Sequence, residues 1–295
     1  MEITKGFYDL NVPYQTNENE LIAILNELYD VGYRTIAIDE TFDHTKCNRK
    51  ASDIFPAPSD LTSLREKFQN KLKILSRLSI VFSQNVILHD MNTSSNIKKY
   101  NLICGIPVTE AAMQYACSTL PGDIIGMVHN DATKVFLISH KHYLMAARRG
   151  IYFEIQYAPA IRNSNQRKDL IVVAQNIVSH RKAKTIVITG GALNPFQVRS
   201  PYDVANLGLI FGLSEEQSKS AISNVCRTIV LKAEGRRYGK TVIFAKNTQE
   251  SSGDEEENDS ESGEEEEEEE SNSDDSMDDL GSMDEGHPPK KQKFS

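Results

Sequence analysis

Two carboxylates, a carboxamide and a third acid are the first candidates for chemistry, because strand-like segments set them on matching faces. In "GFYDLNVPY", Gly6 to Tyr14, Asp9 and Asn11 lie two residues apart, and a strand sends such residues to one side. Within Phe7–Val12 that side also holds Phe7, whereas Tyr8, Leu10 and Val12 are expected to pack under helices. In Thr35–Asp39, Thr35, Ala37 and Asp39 oppose Ile36 and Ile38; in Ile151–Tyr157, Tyr152, Glu154 and Gln156 oppose Phe153, Ile155 and Tyr157. Asp9, Asn11, Asp39 and Glu154 are therefore expected to converge. Paired carboxylates hold a hard cation, which points to metal-assisted hydrolysis. A hydrolytic transition-metal site usually adds imidazoles. The other reading of the same residues is a structural polar cluster, satisfied by Arg34, Arg162 or water.

The histidines contribute little to such a site. "VHND" places His129 and Asp131 just past the fifth strand-like segment, the best placed of the seven histidines. His140 and His142, in "SHKH", stand at a loop-to-helix junction, and residues i and i+2 of a helix do not face each other. No Gly-x-Ser-x-Gly elbow, Walker loop or His-Glu-x-x-His occurs. Cys47, Cys104, Cys117 and Cys226 form no Cys-x-x-Cys pair, so reduced, ordinary thiols are expected and no zinc site.

Positioning these residues falls to an alternation of strands and helices. Strand-like segments are Phe7–Val12, Thr35–Asp39, Ile74–Val81, Leu102–Pro107, Asp123–Val128, Ile151–Tyr157, Thr185–Thr189 and, weakly, Thr241–Ala245. Between them, Leu21, Ile24, Leu25 and Leu28 have helical spacing, with Asn17 or Asn19 to cap and Gly32 to stop. Thr109 opens another helix, residues 164–181 and 214–233 make two long ones, and Ser214 with Gln217 has capping-box spacing. Repeated strand–helix units imply a parallel sheet. Seven to eight parallel strands fit an α/β fold of TIM-like (β/α) barrel type over residues 1–247, with a doubly wound open sheet as the other architecture. No GxGxxG follows the first strand.

The charge divides with the fold. The formal net charge is −9, but the segment from Glu250 carries 20 of the 42 acidic residues and only 3 of the 33 basic ones, leaving the body near +8. Residues 248–295 are expected to be a disordered acidic tail, since they lack the apolar surface to offset chain entropy. It ends in the basic cluster "PPKKQKF", which resembles a nuclear localisation signal. No apolar run is long enough to span a bilayer, and "MEITKGFYDL" does not read as a secretory leader. A basic body suits a nucleic-acid partner. The sharpest clusters are "RRG" (148–150), "IRNSNQRK" (161–168) and "EGRRYGK" (234–240). The Asn and Ser interleaved in the second suit phosphate contacts, and no RRM-type aromatic set accompanies the clusters. Arg162, Arg167, Lys168, Arg199, Arg236 and Arg237 are the candidate RNA-binding residues. "PYDVANLGLIFGLS" begins at Pro201, suited to a first helical turn; its apolar residues serve core packing or docking of another subunit.

Several stretches together resemble one family. "FYDLNVPY", "GYRTIAID", "KILSRLSIV", "RRGIYFEIQYAPAIRN" and "RSPYDVANLGLIFGLSEEQSKSAISNVCRTIVLKAEGRR" are similar to the thirty-kilodalton protein subunit family of ribonuclease P and ribonuclease MRP, found in eukaryotes and archaea. The resemblance implies a TIM-like barrel, a location in the nucleus and nucleolus, and a non-catalytic role supporting the catalytic RNA in removing the 5′ leader of precursor tRNA, with rRNA processing through ribonuclease MRP. It implies as partners that RNA, precursor tRNA, a small RRM-like protein subunit and other subunits, with no membrane and no cofactor. Such a barrel is also similar to polymerase-and-histidinol-phosphatase hydrolases, which carry Asp-Leu-His-x-His at the end of the first strand. Here the matching residues are Asp9, Leu10, Asn11, Val12 and Pro13, so both imidazoles are missing. No catalytic or metal-binding residue is expected. The competing function is a metal-dependent phosphoesterase using Asp9, Asp39, His129 and Glu154.

Overall fold

A computed structural model describes residues 6–47, 53–84, 87–127, 137–180 and 185–239. The expected weak strand at Thr241–Ala245, the tail from residue 248, and His129 with Asp131 lie outside these residues. Seven strands are described: β1 (Phe7–Pro13), β2 (Tyr33–Asp43), β3 (Lys73–Phe82), β4 (Leu102–Pro107), β5 (Ile124–Ile125), β6 (Tyr152–Gln156) and β7 (Ile186–Thr189). Each pairs in parallel with the next in chain order. The helices are α1 (Glu18–Asp30), α2 (Thr62–Lys67), α3 (Ile87–Thr93), α4 (Glu110–Ser118), α5 (His140–Arg148), α6 (Ala158–Arg162), α7 (Ser164–Ser179), α8 (Pro201–Ile210), α9 (Glu215–Ala221) and α10 (Asn224–Tyr238). The sheet curls into a nearly closed, TIM-like barrel. Its seam lies between β1 and β7, where Gly191 N–H donates to Asn11 O at 2.9 Å.

Local chemistry sets the element ends much as the sequence suggests. Asn17 accepts from Asn19 N–H to start α1, Thr109 caps α4, and Ser214 and Gln217 form a reciprocal capping box on α9. Capping satisfies N–H groups that lack intrahelical partners. The outward faces of the strands meet the helices in one large core that includes Ile36, Ile38, Ile74, Leu78, Phe153 and Ile155.

The barrel interior forms a second cluster that includes Tyr8, Leu10, Ala37, Leu75, Leu102 and Val187. Here the expectation for β1 is corrected. Tyr8 and Leu10 point inward rather than under the helices, and only Val12 joins the outer core. The pairing of β1 with β2 carries two register shifts, one between Phe7 and Tyr8 and one between Asp9 and Val12, which interrupt simple alternation. The expected helix 214–233 is likewise two helices. The chain breaks at Ile222–Ser223, where Ile222 O accepts from Tyr8 N–H at 3.0 Å. That break turns α10 across the strand-start end of the barrel, and Cys226, Ile229, Val230 and Ala233 plug it. Among the described residues no helix is long and apolar enough to cross a membrane.

Candidate functional site

The inward polar residues do converge, and an arginine lies at their centre. Arg77, on β3, is fully buried. Its guanidinium meets Glu154 with two parallel bonds, Nη1 to Oε1 at 2.5 Å and Nη2 to Oε2 at 2.6 Å. Nη1 also donates to Leu10 O at 2.8 Å. Nε lies 3.0 Å from Asp39 Oδ1 and 3.1 Å from Ser79 Oγ. Ser79 donates in turn to Asp39 Oδ1 at 2.6 Å. Thr189 Oγ1 at 2.8 Å, Gln156 Nε2 at 3.2 Å and Asn11 Nδ2 at 3.3 Å complete the donors around Glu154. The planar fork of Arg suits this bidentate geometry, which a lysine ammonium does not reproduce.

Asp9 belongs to the seam rather than to this ion-pair group. Its Oδ1 accepts from the backbone N–H groups of Gly190 at 2.9 Å and Asn11 at 3.1 Å. Asp9 thus ties the end of β7 to β1 where no ladder does. Gly190 is required there, because a Cβ would stand under 3.0 Å from Asp9 Oδ2.

The electrostatics separate the three acids. Burial pushes Asp9 up to about 6, against the two backbone N–H donors and the more distant Arg77; the Glu154 charge adds to the rise. Burial also raises Asp39, more than Arg77 and Ser79 lower it. For Glu154 burial is again the largest effect, but Arg77, Thr189 and Gln156 together outweigh it and hold the carboxyl below its ordinary value. Burial opposes the charge on Arg77, and Glu154, Cys104 and Asp39 more than restore it. Glu154 and Arg77 therefore form a charged, mutually satisfied pair.

This arrangement does not suit a metal ion. A cation bridging Asp39 and Glu154 would have to stand where the Arg77 guanidinium stands, while Asp9 is committed to backbone donors. Asn11 and Pro13 bring no imidazole to this arrangement. Among the described residues, no group of three His, Cys, Asp or Glu side chains is placed to hold a metal. The expected partners of the acids, Arg34 and Arg162, are elsewhere. Arg34 Nη1 donates to Tyr29 O and Tyr33 O, and Arg162 Nη1 donates to Gly191 O and Gln197 Oε1. Sequence reasoning passes over Arg77, although strand parity sets it with Leu75 and Ser79 on the inward side of "KILSRLSIV".

The candidate RNA-binding residues do not form one surface. Arg162 ends α6, Arg167 and Lys168 lie on α7, and Arg199 follows β7, all beyond the C-terminal ends of strands. Arg162, Arg167 and Lys168 are exposed. Arg236 and Arg237 are at the opposite end of the barrel. Arg236 makes a bidentate pair with Asp123, at 2.9 and 2.8 Å. Arg237 Nη1 reaches Glu234 at 3.5 Å.

Helix α8 has two apolar sides. Pro201, Val204, Ala205 and Gly208 are buried, whereas Tyr202, Leu209 and Ile210 are exposed, as is Phe196, 89% exposed, just before the helix. A hollow of about 270 Å³ between α8 and the α6–α7 pair is lined mainly by apolar groups such as Ile161, Ile171, Leu207 and Ile210, with Arg167 at its edge. Core packing accounts for one face of this segment and leaves the other uncovered.

The comparisons with known proteins agree with one another. The family model described as RNase P subunit p30 matches residues 6–238. The chain is 31% identical over 236 residues to the ribonuclease P protein subunit p30 of Mus musculus, covering 79% of this chain and 87% of that one. It is 24% identical over 245 residues to the ribonuclease P/MRP protein subunit RPP1 of Saccharomyces cerevisiae, covering 76% of this chain and 79% of the relative. A chain of the cryo-EM structure of archaeal ribonuclease P with mature tRNA superposes with a TM-score of 0.60, over 84% of this chain and all of that chain, at 16% identity. At that identity the likeness is one of fold.

Proposed function

The chain belongs to the RNase P subunit p30 family, and from that premise we propose that it is a protein subunit of ribonuclease P that supports removal of the 5′ leader of precursor tRNA without supplying catalytic groups. One observation carries the second half of this reading. Inside the barrel the Arg77 guanidinium stands between Asp39 and Glu154 and pairs with both. A neutralised, donor-saturated cluster offers no open coordination position to a substrate or a metal-bound water. The cluster instead fixes β1, β2, β3, β6 and β7 to one another, and gives a rigid body whose outer surface is its working part.

The partners follow from the same premise. The catalytic RNA and precursor tRNA are matched by the positive body of the chain, since Lys and Arg neutralise phosphates and release counterions. The small RRM-like subunit is assigned to the uncovered apolar face of α8, where Phe196, Tyr202, Leu209 and Ile210 lie exposed; contiguous exposed apolar groups mark interaction sites. Membership of ribonuclease MRP as well is supported by the name of the yeast relative. Residence in the nucleus and nucleolus is supported by the basic "PPKKQKF" end.

The test is purification of the tagged full-length chain from its own cells, with the bound RNA sequenced and 5′-leader cleavage measured. Retention of one abundant structured RNA together with precursor-tRNA cleavage is the expected result. A preparation that cleaves generic phosphoesters when RNA-free, and stops on Asp39→Asn, would refute the reading.

A further inference from the structure

The strand-start end of the barrel holds a basic cleft that the candidate RNA-binding set does not include. The turn from α2 into β3 and the beginning of β2 enclose about 510 Å³. Four cations, Arg34, Arg65, Lys71 and Lys73, line it with the amides of Gln69 and Asn70; its other two lining residues are Leu72 and Ile74, so no carboxylate is among the described residues that face it. The cleft is built rather than scattered. Arg34 is fixed by Nη1 bonds to Tyr29 O at 3.0 Å and Tyr33 O at 2.7 Å, and its guanidinium lies 4.7 Å from the centre of the Tyr29 ring. Lys71 Nζ lies 5.7 Å from the same ring. Arg65 is held through Nε to Ile74 O at 3.1 Å. Asn70 turns the chain with a φ of 67°, a left-handed conformation that asparagine tolerates better than most residues.

Helix-end electrostatics explain part of this charge. Arg34 answers carbonyls at the end of α1, as cations do at helix C-termini. That effect falls off within the last turn and does not account for Lys71 and Lys73, which follow the end of α2 by several residues. Glu234 on α10 acts on Lys73 from outside the cleft, and is itself paired with Arg237. Arg237 Nε in turn approaches Lys98 O at 3.5 Å. Cations thus continue from the cleft across this end of the barrel.

We propose that this cleft binds the phosphodiester backbone of an RNA strand, with Lys71 and Lys73 neutralising phosphate and the Gln69 and Asn70 amides donating to phosphate or ribose oxygens. The inference rests on the reading that the chain works within an RNA-containing enzyme. It adds a site at the end of the barrel opposite the mouth, so that RNA touches both ends of the body. Donor-rich, acid-free linings position nucleic acid without reading its sequence. Recognition there is therefore of backbone, not of bases.

The experiment uses the full chain in its assembled complex. Lys71→Gln/Lys73→Gln is compared with Lys71→Arg/Lys73→Arg, and RNA affinity is followed from 50 to 200 mM salt. Removing two phosphate-neutralising charges from a single-strand site lowers the slope of log affinity against log salt by about 1.4, or about sevenfold less salt sensitivity over that range. The arginine pair should keep the wild-type slope, and both variants should keep the wild-type melting temperature. A photo-crosslinking residue replacing Gln69 should label RNA. If the wild-type complex holds RNA and the glutamine pair has the same slope, the cleft assignment is wrong and the ribonuclease P reading stands. If the crosslink goes to a protein, or low-millimolar inorganic phosphate abolishes the RNA crosslink, the cleft belongs to another ligand. A wild-type complex without RNA would overturn both.

Discussion

Replacing Arg77 by methionine tests most directly whether the interior cluster is structural. Methionine keeps much of the aliphatic volume and removes the charge. Glu154 then loses two bonds of 2.5 and 2.6 Å, and Asp39 loses its cation at 3.0 Å. Removing one partner of a buried ion pair costs about 3–5 kcal/mol, because the partner left behind is charged and unsolvated. Against a typical domain stability of about 5–15 kcal/mol, such a penalty is large, equivalent to a fall in Tm of about 6–20 °C. The pH dependence carries the sharper signature. Glu154 has a folded pKa below its ordinary value of 4.5; its contribution is present above the unfolded value and lost as pH falls through the folded one. Without Arg77, burial is uncompensated and the folded pKa rises. Glu154 in the variant then favours folding below the unfolded value and opposes it as pH rises. Urea denaturation of the full chain at pH 7.5 and 5.5 should therefore give a larger Arg77→Met penalty at the higher pH. Arg77→Met/Glu154→Gln should be more stable than the sum of the single changes implies, by about 1–3 kcal/mol. A penalty below about 1 kcal/mol, or strict additivity, would refute the buried-pair argument.

Three further outcomes follow from the same geometry. Asp9 titrates near 6 in the fold against an ordinary value of 3.8, so its effect on stability is fully present below 3.8 and is lost as pH rises through 6. Asp9→Asn keeps an oxygen acceptor for Gly190 N–H and cannot ionise; its stability relative to wild type should climb by about 2 kcal/mol between pH 4 and 7 in urea titrations, and a flat difference would rule out the shift. Gly208→Ala would set a Cβ under 3.0 Å from Ser218 Oγ at the packing of α8 on α9, and should cost about 1–3 kcal/mol by thermal melting, eased in Gly208→Ala/Ser218→Gly. Neutralising Arg162, Arg167, Lys168 and Arg199 to Gln should lower the salt slope of RNA binding by about 0.7 for each phosphate no longer neutralised, and an unchanged slope would remove the mouth from the RNA surface.

Much of the barrel is legible because alternation is a local signal. Strand parity correctly sets Ala37 and Asp39 against Ile36 and Ile38, and Glu154 against Phe153 and Ile155. Parity fails in β1, where two register shifts against β2 and the bond from Gly190 N–H to Asp9 depend on partners distant in the sequence. The apolar run at Asp123–Val128 suggests a longer fifth strand than the one that forms. Among the described residues only Ile124–Ile125 make it, and Gly126 then passes close to Cys104 and Glu154, where a Cβ would be 3.1 Å from both. The break before α10 is hidden because "AISNVCRTIV" has apolar residues at helical spacing on both sides, while its cause, the bond from Tyr8 N–H to Ile222 O, is a tertiary one. Arg77 escapes notice for the same reason: Glu154, its bidentate partner, is 77 residues away. A lone arginine at an inward parity position is nevertheless a readable sign.

An arginine and a metal ion at the centre of a barrel do different things. A bound cation can exchange ligands, take up water and lower its pKa. A guanidinium also neutralises carboxylates, but its directions are fixed and it offers no site for an incoming oxygen. Three strands converge on Arg77, through Leu10 O from β1, Asp39 from β2, and Glu154 from β6. The cluster thus retains the cross-barrel tie of a metal centre without its reactivity. Helix α10 packs across one end of the barrel, and within it Asp39 and Glu154 are paired with Arg77. The outer surface carries exposed cations at the mouth, a basic cleft at the strand-start end with no acid among the described residues that line it, and an exposed apolar face on α8. Separate surfaces of these kinds suit a body that holds RNA and protein together better than one that turns over a small substrate, because an enzyme pocket gathers its polar groups at one concave site.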